Sequence, residues 1–242
     1  MHRFFTDKPV VDSSAITLSD GDARHINVLR VRKGDEIDVR DGSGARYICA
    51  VEEIGLDEVS LSILSKEPLD VEPSLKITLF QGLPKSDKME LIIQKCVELG
   101  VYEIIPVETE RCVSRVNEKS ARKTRRWREI AKSAAEQCGR GFTPSVKESV
   151  SFRTAIEEAL RLKNAFMAYE NESDVSIADM LKDMNTNEIG VFIGPEGGFS
   201  AAETELCAEK GIPFASLGRR IYRTETAGFV AIIALLLLRG EL

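Results

Sequence analysis

Histidine is almost missing from this chain: among 242 residues only His2 and His25 occur. A metal site built on imidazoles is thereby all but excluded, and no metal is expected. The five cysteines, Cys49, Cys96, Cys112, Cys138 and Cys207, are odd in number and far apart, with no C-x-x-C pair. That pattern argues against a disulfide framework or a zinc cage and suits a reducing, cytoplasmic location. Met1 to Asp7 lacks the apolar stretch of a secretory signal. Long apolar runs are scarce as well. Ala227 to Leu238 (AGFVAIIALLLL) has twelve residues, against the roughly 20 needed to cross a bilayer. No membrane partner is expected, and this run reads as a helix buried on all sides, in the core or at a subunit interface. Internal repeats and low-complexity tracts are absent too.

What remains is ordinary globular composition, 43% hydrophobic and 30% charged. A chain of this length removes roughly 70–75% of its unfolded surface from water, so no covalent staple is required.

The pattern divides near residue 70. Glu36 to Arg40 and Arg46 to Ile54 read as strands joined by the turn Asp41-Gly42-Ser43-Gly44. Val59 to Leu64 alternates with period two. His25 to Arg30 is compatible with strand or helix. Several short strands imply a small closed or nearly closed β-barrel over residues 1–70. Pro68 and Pro73 bracket a linker, and residues 74–242 form a second domain in which strands and helices alternate. Strands are expected at Leu75–Phe80, Val101–Val107, Ala165–Tyr169, Ile189–Ile193 and Phe214–Leu217. Helices are expected from Asp87 to Leu99, Asn117 to Cys138, Phe152 to Leu162, Ser176 to Asp183, from Ser200, and at the end of the chain. Asp87 with Glu90, and Ser200 with Glu203, have capping-box spacing. Trp127, Ile130, Ala131, Ala134 and Cys138 fall on one face of the third of these segments. The fold class is α/β: a parallel sheet covered by helices on both faces.

Ligands of open α/β sheets sit beyond the carboxyl ends of the strands. Two turns qualify. Gly194-Pro195-Glu196-Gly197-Gly198-Phe199-Ser200 follows the apolar run Ile189 to Ile193, and its glycines let a ligand approach the backbone. A plain strand-to-helix connection is the alternative. Neither the Walker pattern nor G-x-G-x-x-G is present, so a nucleotide triphosphatase is poorly supported. The second turn, Leu217 to Ala227, holds Arg219, Arg220 and Arg223 ahead of Thr224-Glu225-Thr226. Thr224 or Thr226 can cap the last helix, which accounts for them structurally. The arginines suit an anionic substrate, and a Glu beside Arg suits a proton acceptor.

Positive charge is concentrated elsewhere. Between Arg111 and Arg140 ten Lys or Arg face three Glu, in a chain whose net charge is −6. A solvated helix face is the plain explanation. The imbalance points instead to a polyanion such as nucleic acid, with Arg115, Arg122, Lys123, Arg125 and Arg126 as candidate phosphate contacts.

Taken together, KSDKMELIIQKCVELGVYEIIP (Lys85–Pro106), EQCGR (Glu136–Arg140), IGPEGGFS (Ile193–Ser200) and RRIYRTETA (Arg219–Ala227) resemble the RsmE-type 16S rRNA (uracil-N3) methyltransferases of the SPOUT superfamily. MHRFF and HINVLRVRKGD agree, so the resemblance spans nearly the whole chain. It implies a PUA-like barrel for residues 1–70 and a SPOUT domain with a deep trefoil knot for residues 74–242. It further implies a homodimer, S-adenosylmethionine as cofactor, and 16S rRNA or the assembled small ribosomal subunit as partner, with a uridine near the decoding region as target. Cofactor contacts carry over to Tyr169, Glu170, Gly194, Glu196, Gly197, Leu217, Gly218, Ile221 and Tyr222. Arg223, Thr224 and Glu225 fall at the reacting end: Arg223 to hold phosphate, Glu225 or a nearby backbone carbonyl to assist loss of the N3 proton. Arg3, Arg30 and Arg32 are further RNA-contact candidates in the barrel. The chain departs from the family in having Arg219 where proline is common and Tyr222 where leucine is common. Two rivals stand beside this reading, a non-catalytic rRNA-binding assembly protein and a dehydrogenase-like nucleotide binder.

Overall fold

In a computed structural model of the chain, the described residues are 1–6, 10, 13–19, 21–85, 87–112, 120–162, 164–172, 174–182 and 187–242. They divide into two compact units, Met1–Glu72 with Ala135–Thr143, and Pro73–Ala134 with Pro144–Leu242.

The first unit contains β1 (His2–Phe5), β2 (Ala15–Ser19), α1 (Gly21–Val28), β3 (Glu36–Arg40), β4 (Ala45–Ile54) and β5 (Glu58–Pro68). Its sheet runs β1-β3-β4-β5-β2, with β1 parallel to β3 and the other pairs antiparallel. Both end strands put side chains into one cluster: Phe4 from β1 and Ile16 and Leu18 from β2 join Val39, Cys49, Val51 and Leu61. The sheet therefore curls around a single core, helped by bulges at Ile48/Cys49 and Val51/Glu53. The ambiguous stretch is helical through Val28 and stops at Arg30, whose φ of 58° is left-handed.

A buried ionic network completes this unit. Asp38 and Arg40 are almost fully enclosed and lie 2.8 Å apart. Arg40 donates further to the carbonyls of Gly139 (2.6 Å) and Arg140 (2.7 Å). Arg140 pairs with Glu72 at 2.6 Å, and the Gly141 N–H donates to the same carboxylate. These bonds bring residues 135–143 into the first unit from far along the chain. Arg3 belongs here as well, pairing with Asp38 at 3.3 Å and donating to the Glu136 carbonyl. Its guanidinium is thus partly buried and engaged within the fold.

The second unit follows with β6 (Lys76–Gly82), α2 (Lys88–Glu98), β7 (Glu103–Glu108), α3 (Ser120–Cys138), β8 (Ser145–Val146), β9 (Val150–Ser151) and α4 (Phe152–Arg161). Then come β10 (Ala165–Ala168), α5 (Ile177–Lys182), β11 (Glu188–Ile193), α6 (Ala201–Glu209), β12 (Phe214–Ala215) and α7 (Thr224–Leu238). All pairings are parallel, in the order β12-β10-β11-β6-β7-β8, with β9 also on β7. Side-chain alternation sorts the helices onto two faces. Phe80 stacks on Phe192 at 4.4 Å and shares a cluster with Phe152 and Ile156 of α4 and Cys207 of α6. Leu79 and Gln81 point the other way. A Cβ on Gly228 of α7 would lie 3.6 Å from Gln81 Oε1 and 3.8 Å from both Leu79 and Cys96, so α7 and α2 cover that face closely.

Several local expectations need correction. Asp87 has backbone angles of −88° and 9° and its side chain caps nothing, so the expected capping box is not formed. Glu90 pairs instead with Arg126 at 3.6 Å. Ser200 and Glu203 do form theirs, with bonds in both directions. Within α3 the buried face is Thr124, Trp127, Ala131, Ala134 and Ala135, while Cys138 is exposed. The expected start of that helix near Asn117 lies outside the described residues. Helix α7 is not buried all round: Gly228, Ala231, Ile232, Leu235 and Leu236 are, but Ile233, Leu237 and Leu238 are 40%, 62% and 49% exposed. Only one stripe of the helix reaches the sheet and α2, and an all-apolar sequence does not reveal which one.

Candidate functional site

The carboxyl ends of β10, β11 and β12 open into a cavity of about 460 Å³. Its walls are Ala168 to Glu170 after β10, Ile193 to Glu196 with Gly198 after β11, Ser216 to Thr224 after β12, and Lys88 and Ala227 from α2 and α7. The two turns singled out from the sequence thus share one cleft, of a size that holds a small organic ligand.

Glycine and backbone geometry shape it. Gly198 is left-handed at φ 64°, and a Cβ there would sit 2.8 Å from the Glu170 carboxylate. Gly82, at the end of β6, has Pro195 packed where a Cβ would stand, at 2.6 Å from Pro195 Cδ. Tyr169 is fixed by its N–H to the Ala215 carbonyl (3.1 Å), by its ring against Phe214 (5.5 Å) and by Asn171 on its hydroxyl. Ser216 accepts from the Gly218 N–H at 3.1 Å, holding the second loop in a tight turn. Ile221, which lines the cleft, is 85% exposed.

Thr224 does not cap α7. Arg223 occupies the N-cap position without a side-chain cap bond, and Thr224 is the first helical residue. Its hydroxyl donates to the Gly194 carbonyl at 2.6 Å and accepts from Gln81 Nε2 at 2.9 Å. One side chain therefore ties the second turn to the first.

The electrostatics also differ from expectation. Glu225 was expected beside arginine, yet its ion partner is Lys88, at 3.3 Å. Lys88 reaches Glu196 too, at 3.0 Å, and so bridges the two turns. The Glu196 hydrogen bond, opposed by desolvation and joined by Glu225, raises the Lys88 ammonium above its ordinary 10.5. Burial pushes the Glu196 carboxyl up. Bonds from its own N–H, from Lys88 and from the Lys85 N–H outweigh that and leave it below its ordinary 4.5. Lys88 was not singled out from the sequence. Its only signal was its place in the KSDK segment opening α2.

Of the expected cofactor contacts, Tyr169, Glu170, Gly194, Glu196, Leu217, Gly218, Ile221 and Tyr222 line the cavity. Gly197 does not: it is exposed, its carbonyl accepts from Arg111 at 2.9 Å, and Gly198 lines the wall in its stead. Arg223 and Thr224 are lining residues, whereas Glu225 stands behind them. Pro195, Ser216, Arg219, Arg220 and Ala227 are brought in besides. Among the RNA candidates, Arg122, Lys123, Arg125 and Arg126 are exposed on α3, and Arg30 and Arg32 are exposed in the first unit. Arg115 lies outside the described residues.

Comparison with known proteins is consistent over the chain. Residues 71–236 match the RNA methyltransferase domain family, and residues 18–64 match the RNA methyltransferase PUA domain family. A ribosomal RNA small subunit methyltransferase E of Bacillus subtilis is 33% identical across the full length of both chains. Its counterpart from Aquifex aeolicus is 30% identical, over 98% of this chain and 99% of that one. Among solved structures, a ribosomal RNA small subunit methyltransferase E from Neisseria gonorrhoeae, bound to S-adenosyl methionine, superposes with a TM-score of 0.87. It is 34% identical over 98% of each chain. A putative methyltransferase from Legionella pneumophila, in complex with the same cofactor, has a TM-score of 0.86 and 31% identity, over 97% of this chain and 96% of that one.

Proposed function

We propose, because this chain belongs to the ribosomal RNA small subunit methyltransferase E family, that it transfers a methyl group from S-adenosylmethionine to small-subunit ribosomal RNA. The target atom in this reading is N3 of a uridine in 16S rRNA near the decoding region, on free rRNA or the assembled subunit, in the cytoplasm. The observation that carries it is the cleft itself: two turns joined at Gly194 and Thr224 enclose a cavity of cofactor size at the end of a parallel sheet. The knotted threading of this loop pair goes with the same reading.

The residues present fit the cofactor. Leu217, Ile221 and Tyr222 offer an apolar slot, backbone groups of Tyr169, Gly194 and Gly218 offer polar partners, and Glu170 offers negative charge to a cationic ligand. When bound, S-adenosylmethionine supplies a methyl group already activated on a sulfonium. The protein has to align the acceptor, exclude water and take a proton. Uracil N3 carries that proton on the pairing edge, so the base must be unpaired or turned outward. Arg223, exposed on the cavity wall, holds a phosphate of the target nucleotide. Glu225, next to Thr224 and 15% exposed, takes the proton once Lys88 is drawn to the incoming nucleotide. Arg122, Lys123, Arg125 and Arg126 on α3 contribute affinity through phosphates. Arg30 and Arg32 add contacts from the first unit. The exposed apolar stripe of α7, Ile233, Leu237 and Leu238, is read as the homodimer interface.

Thermal unfolding alone, with S-adenosylhomocysteine and with NAD tests the reading against its rivals. Stabilisation by S-adenosylhomocysteine alone is expected, about 2.7 kcal/mol at a hundredfold excess over Kd. No shift with either ligand would leave an rRNA-binding protein, and a shift with NAD alone a dehydrogenase-like one.

A further inference from the structure

Gln81 is fully buried at the carboxyl end of β6, on the face covered by α7. Its amide nitrogen donates to the Gly82 carbonyl at 2.9 Å and to Thr224 Oγ1 at 2.9 Å. The Thr224 hydroxyl in turn donates to the Gly194 carbonyl at 2.6 Å. The direction of this chain is fixed by chemistry. A carbonyl oxygen can only accept, so the hydroxyl must spend its hydrogen on Gly194 and take one from Gln81. Both amide hydrogens are then used, and Gln81 Oε1 is left buried without a partner among the described residues.

An unpaired buried acceptor is unfavourable to the fold. Methionine would fill a similar space without that orphan, but would withdraw the donors to the Gly82 carbonyl and the Thr224 hydroxyl, so the amide is kept for the two bonds it makes. What the amide achieves is local. It clasps the end of β6, the turn after β11 and the first turn of α7, three segments that meet beside the cleft. The last bond of the chain falls on the carbonyl of Gly194, a residue that lines the cavity. A carbonyl has two lone pairs, and among the described residues only Thr224 donates to this one.

We infer that Gln81, acting through Thr224, positions the Gly194 carbonyl as an acceptor for a hydroxyl or amino group of the cofactor. This rests on the reading of the cleft as an S-adenosylmethionine site. Gln81 and Thr224 are positioning residues; Gly194 makes the contact. Thr224 therefore acts one step back from the chemistry, by aiming a backbone oxygen.

The test is calorimetric titration of the full-length protein with S-adenosylhomocysteine, with the melting temperature of each unliganded variant measured alongside. Thr224→Val keeps the shape and deletes the hydroxyl, Thr224→Ser keeps the hydroxyl, and Gln81→Met deletes the amide. Tenfold or greater loss of affinity is expected for Thr224→Val and Gln81→Met, with Thr224→Ser within about threefold of wild type. Should one deletion variant fail to fold, the other carries the comparison. A lowered melting temperature with affinity unchanged in Thr224→Val or Gln81→Met would overturn the inference and leave a purely structural clasp. Wild-type protein that does not bind S-adenosylhomocysteine would overturn the cofactor reading itself, and the inference with it.

Discussion

The ammonium of Lys88 stands 3.3 Å from Oε2 of Glu225, so the acid leading α7 is neutralised from α2 and not by the arginines that precede it in sequence. In the proposed reaction a phosphate of the RNA would compete for Lys88, which lines the cavity beside Arg219, Arg220 and Arg223.

Glu225→Gln removes the proposed proton acceptor while keeping the size of the side chain. Groups that move a proton in the reaction typically contribute about 10²–10⁴-fold, so kcat is expected to fall by at least about a hundredfold. Affinity for S-adenosylhomocysteine should stay near wild type. Single-turnover assays with unmodified small-subunit rRNA measure the first quantity and calorimetry the second. Turnover near wild type would reduce Glu225 to an ion partner of Lys88.

The Lys88–Glu196 bridge has a defined pH signature. Glu196 titrates below its unfolded value in the folded chain, so its contribution is present above about pH 4.5 and lost as pH falls through the lower folded value. Lys88 titrates above 10.5, so its contribution is present below that pH and lost as pH rises through the higher folded value. The difference in melting temperature between wild type and Lys88→Met should therefore be flat from about pH 5 to 10 and shrink outside that window. A difference that grows toward acid would contradict the pairing.

Arg122, Lys123 and Arg125 are exposed on α3. Changing all three to alanine should weaken RNA binding and reduce the slope of log K against log salt by about 2, at roughly 0.7 per single-strand phosphate contact. Cofactor affinity should not change. An unaltered slope in filter-binding titrations would return this face to solvent.

In the first unit, Arg40 is enclosed with Asp38 and two backbone carbonyls. Arg40→Met leaves Asp38 with only the partly exposed Arg3 and takes the donor from two backbone carbonyls, and breaking a buried pair from one side costs about 3–5 kcal/mol. Urea unfolding followed by circular dichroism should show a loss of that order, with less than 1 kcal/mol counting against the network.

On α7, Leu237→Glu should convert a dimer to a monomer in sedimentation equilibrium without lowering the helix content. A wild-type protein that is monomeric at every concentration would remove the proposed interface.

Much of the second unit was legible because its strands are short apolar runs broken by glycine and followed by helical periodicity. Ser200 and Glu203 announced their capping box, and the turn at Gly194 announced the cleft. Asp87 and Glu90 have the same spacing and make no box, because Asp87, at φ −88° and ψ 9°, lacks the extended backbone of a cap, and Glu90 lies instead beside Arg126, 36 residues further on. Strand β1 escaped notice because HRFF has no alternation to read. The pairing of Arg40 with Gly139 and Arg140 spans a hundred residues, and local patterning carries no trace of it. Gln81 looked like one polar residue at the end of a strand. Its meaning depends on Thr224, 143 residues away.

Nucleoside mass analysis of small-subunit rRNA from cells lacking this gene bears most directly on the proposed activity. One 3-methyluridine should disappear and return when the wild-type gene is restored, but not when Glu225→Gln is supplied. Full retention of every methylated uridine in the deleted strain would contradict it.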